Sequence, residues 1–315
     1  MSPIAVFCYN RKDKIESCLN SLVECEMVES TEIFVFSDGA PKDRSLSEVN
    51  EVRRFLIQFL SAHKNLHISI IKRDENYGLA KSIISGVTQV IKEHGSVIVI
   101  EDDLVLSKDF LVYMNNALDF YRDKSRYGSI SAYTYPIRQL KRYKKDVYAL
   151  RKGECWGWAT WLDRWENVDW ELQDFDSYII DKKKRKSFSS LEKGLEEQLI
   201  LQHEKKLDAW AARWCFHLFN NDLLTIYPKN CRAINIGLDG TGVNCAIDSN
   251  RYRGVLNSAG YECKFEELEV NKRFERAVAK YGKTILERCK TKILVSILSP
   301  MKGFLKLMLY KWDNG

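Results

Sequence analysis

The chain has 315 residues, 45% of them hydrophobic and 12% aromatic, which is enough for a sizeable core in one large domain or one domain with appendages. Its formal net charge of +6 lies mostly in residues 283–315, where seven basic side chains face two acidic ones, so the body is near neutral and nucleic acid is excluded as the main partner. The nine cysteines are odd in number and include no Cys-x-x-Cys pair, so neither a disulfide framework nor a zinc site follows from them, and a reducing compartment is expected.

Residues 4–9 read as a first strand, too short and too quickly followed by Asn10-Arg11-Lys12 to be a signal peptide. Helical spacing follows over 14–24, with Ile15, Leu19 and Leu22 on one face. Residues 32–37 form a second strand ending in the turn signal Ser37-Asp38-Gly39-Ala40-Pro41. A helix over 46–63, a strand over 67–72, the polar stretch 73–79 and a helix over 80–92 come next. Residues 97–100 are the fourth strand, and 109–121 a helix with Ser107 at its N-cap. This alternation predicts βαβ units and a mostly parallel sheet flanked by helices, an α/β fold. Ligands of such sheets bind beyond the carboxyl ends of the strands. Those ends carry Asn10-Arg11, Ser37-Asp38-Gly39, Arg73 to Gly78 and Glu101-Asp102-Asp103, which together outline one cleft.

Val97-Ile98-Val99-Ile100 does not alternate with polar residues, as expected of a strand buried on both faces. It runs into three adjacent carboxylates that raise one another's pKa. A divalent cation would relieve the conflict, and hard oxygen donors suit Mg²⁺ or Mn²⁺; a solvated acidic turn is the other reading. A Gly-x-Gly-x-x-Gly fingerprint and a P-loop are both absent, so a bound nucleotide needs another means of neutralising its phosphates.

Beyond Gly128 the pattern is less regular, with strands expected at 130–133 and 147–150. Five of the eight tryptophans fall within 156–170, around Trp156-Gly157-Trp158. They are either core or an aromatic platform for sugar rings, and the glycine in a non-periodic segment favours the platform. Five consecutive basic residues, 182–186, read as a solvated loop. A helix is expected over 191–206, a second helical segment opens at Asp208-Ala209-Trp210, and a strand covers 223–227. Residues 235–242 form a glycine-rich loop able to order over a ligand. The apolar stretch 293–310 is interrupted by Pro300, Lys302, Gly303 and Lys306, so it suits an interfacial helix on an anionic membrane, or one docked on the body, better than a spanning one.

Taken in order, Cys-Tyr-Asn-Arg, Ser-Asp-Gly, Asn-Tyr-Gly-Leu-Ala, Glu-Asp-Asp, Trp-Gly-Trp and Asp-x-Trp resemble a GT-A-type glycosyltransferase. They are similar to bacterial family 2-like transferases of surface polysaccharides. They are also similar to the N-acetylglucosaminyltransferase I type, which has Glu-Asp-Asp-Leu and a later Asp near a Trp. The resemblance covers roughly 1–245 and implies a nucleotide-sugar half (1–125), an acceptor half (126–245) and a C-terminal helical extension (246–315). It implies Asp38 and Arg11 at the donor base or phosphates, Asn76 and Gly78 along the nucleotide, Glu101 near the sugar and Asp102 near the ribose or metal. Asp103 would be the ligand of Mn²⁺ or Mg²⁺, Trp156, Gly157 and Trp158 would border donor sugar and acceptor, and Asp208 would be the general base. By position alone Asp208 could equally cap the helix that follows it, with Glu197 and Glu204 as reserves for the base.

The expected reaction is inverting transfer from a nucleoside-diphosphate sugar, UDP most of all, to a hydroxyl of a glycan or lipid-linked glycan. It would take place at the cytoplasmic face of a membrane. A nucleotidyltransferase shares the acidic metal site but opens with a glycine-rich loop, which Asn10-Arg11-Lys12 lacks. A non-catalytic glycan-binding protein would explain the tryptophans and leave the strand-end carboxylates unexplained.

Overall fold

The computed structural model describes residues 1–41, 46–208, 210–239, 252, 254–258, 262–282 and 287. The last part of the glycine-rich loop and the basic tail, Glu287 apart, lie outside the described residues. Within them the expected strands form: β1 (Ile4–Cys8), β2 (Glu32–Ser37), β3 (His67–Lys72) and β4 (Ser96–Glu101). They alternate with α1 (Lys12–Val23), α2 (Ser47–Ala62) and α3 (Leu79–His94). All four strands are parallel, in the order β3-β2-β1-β4. Helices cover both faces, so β1 is apolar at every position and β4 throughout Val97–Ile100. Ile4, Val6, Ile98 and Ile100 meet α1, while Ala5, Phe7, Val97 and Val99 meet α3.

The chain continues through β5 (Leu104–Leu106), α4 (Phe110–Tyr121), β6 (Tyr127–Ser131), β7 (Val147–Leu150) and β8 (Trp158–Trp161). Helices α5 (Leu162–Trp165), α6 (Phe175–Ile180), α7 (Lys182–Ser189), α8 (Leu195–His203) and α9 (Trp210–Asn220) follow. Then come β9 (Leu224–Pro228), β10 (Ala233–Asn235) and α10 (Lys272–Val278). Strand β8 inserts antiparallel between β4 and β6, and the sheet closes as β3-β2-β1-β4-β8-β6-β9-β7. Strand β10 pairs with β5 in a separate two-stranded ladder.

Two local expectations are corrected. The basic run is helical rather than a loop: the Asp181 carboxylate accepts the Lys184 N–H at 2.9 Å, Phe188 is buried, and the lysines line the outer face. Ser107 does not cap α4, because its hydroxyl bonds to the Asp109 carboxylate instead.

Residues 262–282 pack on the second half of the sheet. Val270 bridges to Ala149, the Leu268 N–H donates to the Tyr127 hydroxyl at 2.7 Å, and Phe274 stacks edge-on against Tyr143 and Tyr148. No helix among the described residues is long and apolar enough to cross a membrane.

Candidate active site

Where β2 leaves the sheet, Asp38 turns inward and is buried. Its Oδ1 accepts the N–H groups of Tyr77 (2.9 Å) and Gly39 (3.0 Å), and its Oδ2 accepts that of Gly78 (3.1 Å). Asn76 Nδ2 donates to the Gly39 carbonyl at 2.8 Å. The three residues expected along the nucleotide therefore meet one another, and the polar stretch after β3 is clipped to the turn after β2. Gly39 is required there, since a Cβ would come 2.4 Å from the Glu75 carbonyl carbon.

Glu101, Asp102 and Asp103 follow at the end of β4, with Asp102 and Asp103 buried. A cation already answers them. Arg11, just beyond β1, donates through Nη2 to Asp102 and, at 3.0 Å, to Asp103, while its Nε lies 3.4 Å from Asp102 Oδ2. Burial pulls the Arg11 guanidinium down, and Asp102 with Asp103 more than offsets it, so its pKa rises above the ordinary value. Burial pushes Glu101 up to about 8, reinforced by Asp103 and Asp102. Burial likewise pushes Asp102 up to about 6 against the pull of Arg11.

Asp103 is gripped from its other side by the end of β10 and the segment after it. Asn235 Nδ2 donates to its Oδ1 at 3.2 Å, and the Ile236 N–H donates to its carbonyl at 2.8 Å. A Cβ on Gly237 would stand 2.2 Å from Asp103 Oδ2. Among the described residues no group of three or more His, Cys, Asp or Glu has metal-holding geometry. The donor set is all hard oxygen and already binds a cationic group. It fits a divalent hard cation such as Mg²⁺ or Mn²⁺.

Glu101 and Asp103 open onto a cavity of about 260 Å³ that also has Asp208 and Trp156 on its walls. Asp208 lies outside α9. Its Oδ2 accepts the Ala80 N–H at 3.1 Å, so it satisfies an orphan donor at the start of α3. Its side chain is 56% exposed, and its Oδ1 lies 3.8 Å from Arg213. Of the reserves, Glu204 pairs with Lys206, and neither it nor Glu197 lines the cavity.

The tryptophan pair divides. Trp156 lines the cavity, edge-on to Tyr133 and Tyr252. Trp158, expected as platform, is fully buried and stacks on Trp210 at 5.3 Å beside Trp165 and Trp214. Pairing of β8 between two strands turns its side chain into the core, which corrects that expectation. Gly157 has φ +71°, and its place is fixed by Ala132 and Ala233, whose Cβ atoms would lie 3.1 Å from an added Cβ.

Sequence reasoning missed the inner wall, where Lys152 and Glu154 meet Tyr135 and Glu192. The Lys-Gly-Glu triplet was the available local signal. Its partner Glu192 comes from a distant segment and left none.

Residues 4–177 match the family model described as Glycosyl transferase family 2. The chain belongs to that family. This family 2 glycosyltransferase has no match among curated proteins. Its fold is the expected GT-A, Rossmann-like α/β arrangement. Solved structures similar to it include a mannosyltransferase from Pyrobaculum calidifontis in complex with GDP-Man and Mn²⁺ (17% identity over 51% of this chain and 44% of that one, TM-score 0.36). The 1–349 piece of S. aureus TarS matches at 17% identity over 48% and 42% (TM-score 0.35). GalNAc-T7 with UDP, GalNAc and Mn²⁺ matches at 8% identity over 75% and 44% (TM-score 0.48). The glycosyltransferase spans less than half the length of each.

Proposed function

We propose that the enzyme transfers a hexosyl or N-acetylhexosaminyl group from a UDP-sugar to a hydroxyl of a surface-glycan acceptor, with inversion. One observation carries this reading: Glu101, Asp103 and Asp208 line the same cavity. A divalent cation bound with the donor, Mn²⁺ or Mg²⁺, would supply charge neutralisation at the departing diphosphate. Asp103 would hold it, and Asn235 and Gly237 fix that carboxylate's position. Arg11 shares the charge of Asp102 and is long enough to turn toward a phosphate. Asp208 takes the proton from the acceptor hydroxyl. The Ala80 N–H orients its carboxylate, and inversion places the base across the sugar from the leaving group. In-line geometry asks for a base outside the strand-end acids, which Asp208 satisfies.

The basic residues of 283–315 are proposed to hold the enzyme at an anionic membrane face on the cytoplasmic side. Binding to anionic vesicles should be lost on truncation after Gly282.

The decisive experiment incubates the enzyme with a UDP-sugar panel and Mn²⁺ and measures UDP release. Asp208→Asn should keep donor binding and lower transfer by roughly 10²–10⁴-fold. No UDP from any donor, together with no cation-dependent nucleotide binding, overturns the reading. Near-normal transfer by Asp208→Asn returns that residue to a capping role.

A further inference from the structure

The inner end of the cavity is charged, and nothing assigned so far uses it. Lys152 is buried, with Nζ donating to the Tyr135 hydroxyl at 2.6 Å and lying 2.9 Å from Glu192 Oε2 and 3.3 Å from Glu154 Oε2. Glu154 Oε1 also accepts the Cys155 N–H at 3.1 Å. The four side chains come from three segments: one between β6 and β7, one between β7 and β8, and one between α7 and α8. All four line the cavity.

We propose that this inner end is a sugar-ring subsite that admits neutral or amino sugars and rejects sugars bearing a carboxylate or phosphate. The proposal rests on the glycosyl-transfer reading and names its substrate class.

Hydrogen-bond capacity decides the sign. An ammonium group has three donors and no acceptor. Tyr135 and Glu154 accept two of them, and Glu192 Oε2 pairs with the same nitrogen at 2.9 Å, so the charge of Lys152 is already met by two carboxylates. The carboxylates keep spare capacity, because each offers about four lone-pair positions. Formally the set carries one positive and two negative charges, an excess of one negative. Tyr135 accepts from Lys152, and burial holds its phenol protonated, so it retains an O–H to donate. The wall therefore presents mainly acceptors with one neutral donor, which matches sugar hydroxyls or an ammonium. An incoming carboxylate would meet like charge and find no free cation.

A structural role alone does not account for this placement. Buried ion groups are commonly replaceable by apolar side chains without loss of stability, yet these line a cavity. Trp156 on the same wall offers an aromatic surface for the C–H face of a ring.

The test has two arms, since the ring could belong to the donor or to the acceptor. In the donor arm, UDP, UDP-glucose, UDP-N-acetylglucosamine and UDP-glucuronate are titrated into the full chain with Mn²⁺ by calorimetry. In the acceptor arm, methyl glucoside, methyl glucosaminide and methyl glucuronide are compared by saturation-transfer NMR with UDP and Mn²⁺ present. In one arm the uronate should bind at least tenfold more weakly than the neutral sugar, and that arm identifies the occupant. Glu192→Gln should narrow the preference at least threefold with UDP affinity unchanged, which a merely structural role would not do. Glu154→Gln is the second variant if the first does not fold.

Equal binding of neutral and anionic probes in both arms overturns the proposal, as does a preference that neither variant moves, or no sugar binding at all. UDP binding separates the two failures. If UDP binds without sugar discrimination, the subsite assignment falls and glycosyl transfer stands. If UDP does not bind, the donor reading fails and takes the subsite with it.

Discussion

At the acidic turn a single guanidinium serves two carboxylates, and Glu101 beside them is pushed up to about 8. Protons on Asp102 and Glu101 remove negative charge beside Asp103 and so oppose cation binding there. Mn²⁺-dependent UDP binding is therefore expected to strengthen as pH rises from 5.5 to 8.5, through the values of Asp102 (about 6) and Glu101 (about 8), and titrations at several pH values check this. Fold stability should move the opposite way. Glu101 titrates near 4.5 when unfolded and near 8 when folded, so the folded chain holds a proton that the unfolded chain has lost. Its contribution is fully present below about pH 4.5 and is lost as pH rises to about 8. Glu101→Gln should flatten that decline in urea unfolding measured from pH 5 to 8. The carboxylate run itself was legible, since three acids at a buried strand's end break the local pattern. Its partner Arg11 was legible only as a polar residue at another strand end, because the pairing spans 91 positions and leaves no local trace.

Strand β8 and its flanking residues separate core from cavity wall within three positions. Trp158→Ala should cost about 3–5 kcal/mol in chemical denaturation, the range for removing a large buried aromatic side chain. Trp156→Ala should cost much less and instead weaken binding of neutral glycosides. If both variants lose stability alike, Trp156 belongs to the core. The tryptophans were visible in the sequence, but their division was not, since it depends on β8 entering the sheet between two strands remote from it in the chain. The segment after β10 invites a second measurement. Gly237→Ala would drive a methyl group against Asp103, and Mn²⁺ affinity should fall on the order of tenfold, as for other groups that orient a metal ligand. Unchanged affinity would show that Asp103 is not the ligand.

Over the whole chain, legibility tracks the distance between partners. Strands β1 to β4 and their helices follow from local periodicity, because each βαβ unit completes itself within a short span. The second half is held by pairings between remote segments, and residues 262–282 show this most clearly. A chain ending at residue 282 keeps the contacts of Leu268, Val270 and Phe274 and should still unfold cooperatively. A chain ending at 261 would uncover Tyr127, Tyr148 and the floor beneath Phe274, and thermal unfolding by circular dichroism should lose its cooperative transition.

The place of β8 in the sheet also has a temporal consequence. Until residues 158–161 leave the ribosome, β4 is the border of a four-stranded sheet, with bare amide and carbonyl groups along an apolar strand. Such a border is a template for unwanted strand addition. Synthesis of some sixty further residues separates the two events, a delay of several seconds at about 5–20 residues per second. Through that interval the nascent chain has strands β1 to β4 in outline but no Asp208 to engage α3. Insertion of one short strand thus closes the exposed border before the residue that clips the start of α3 has been made.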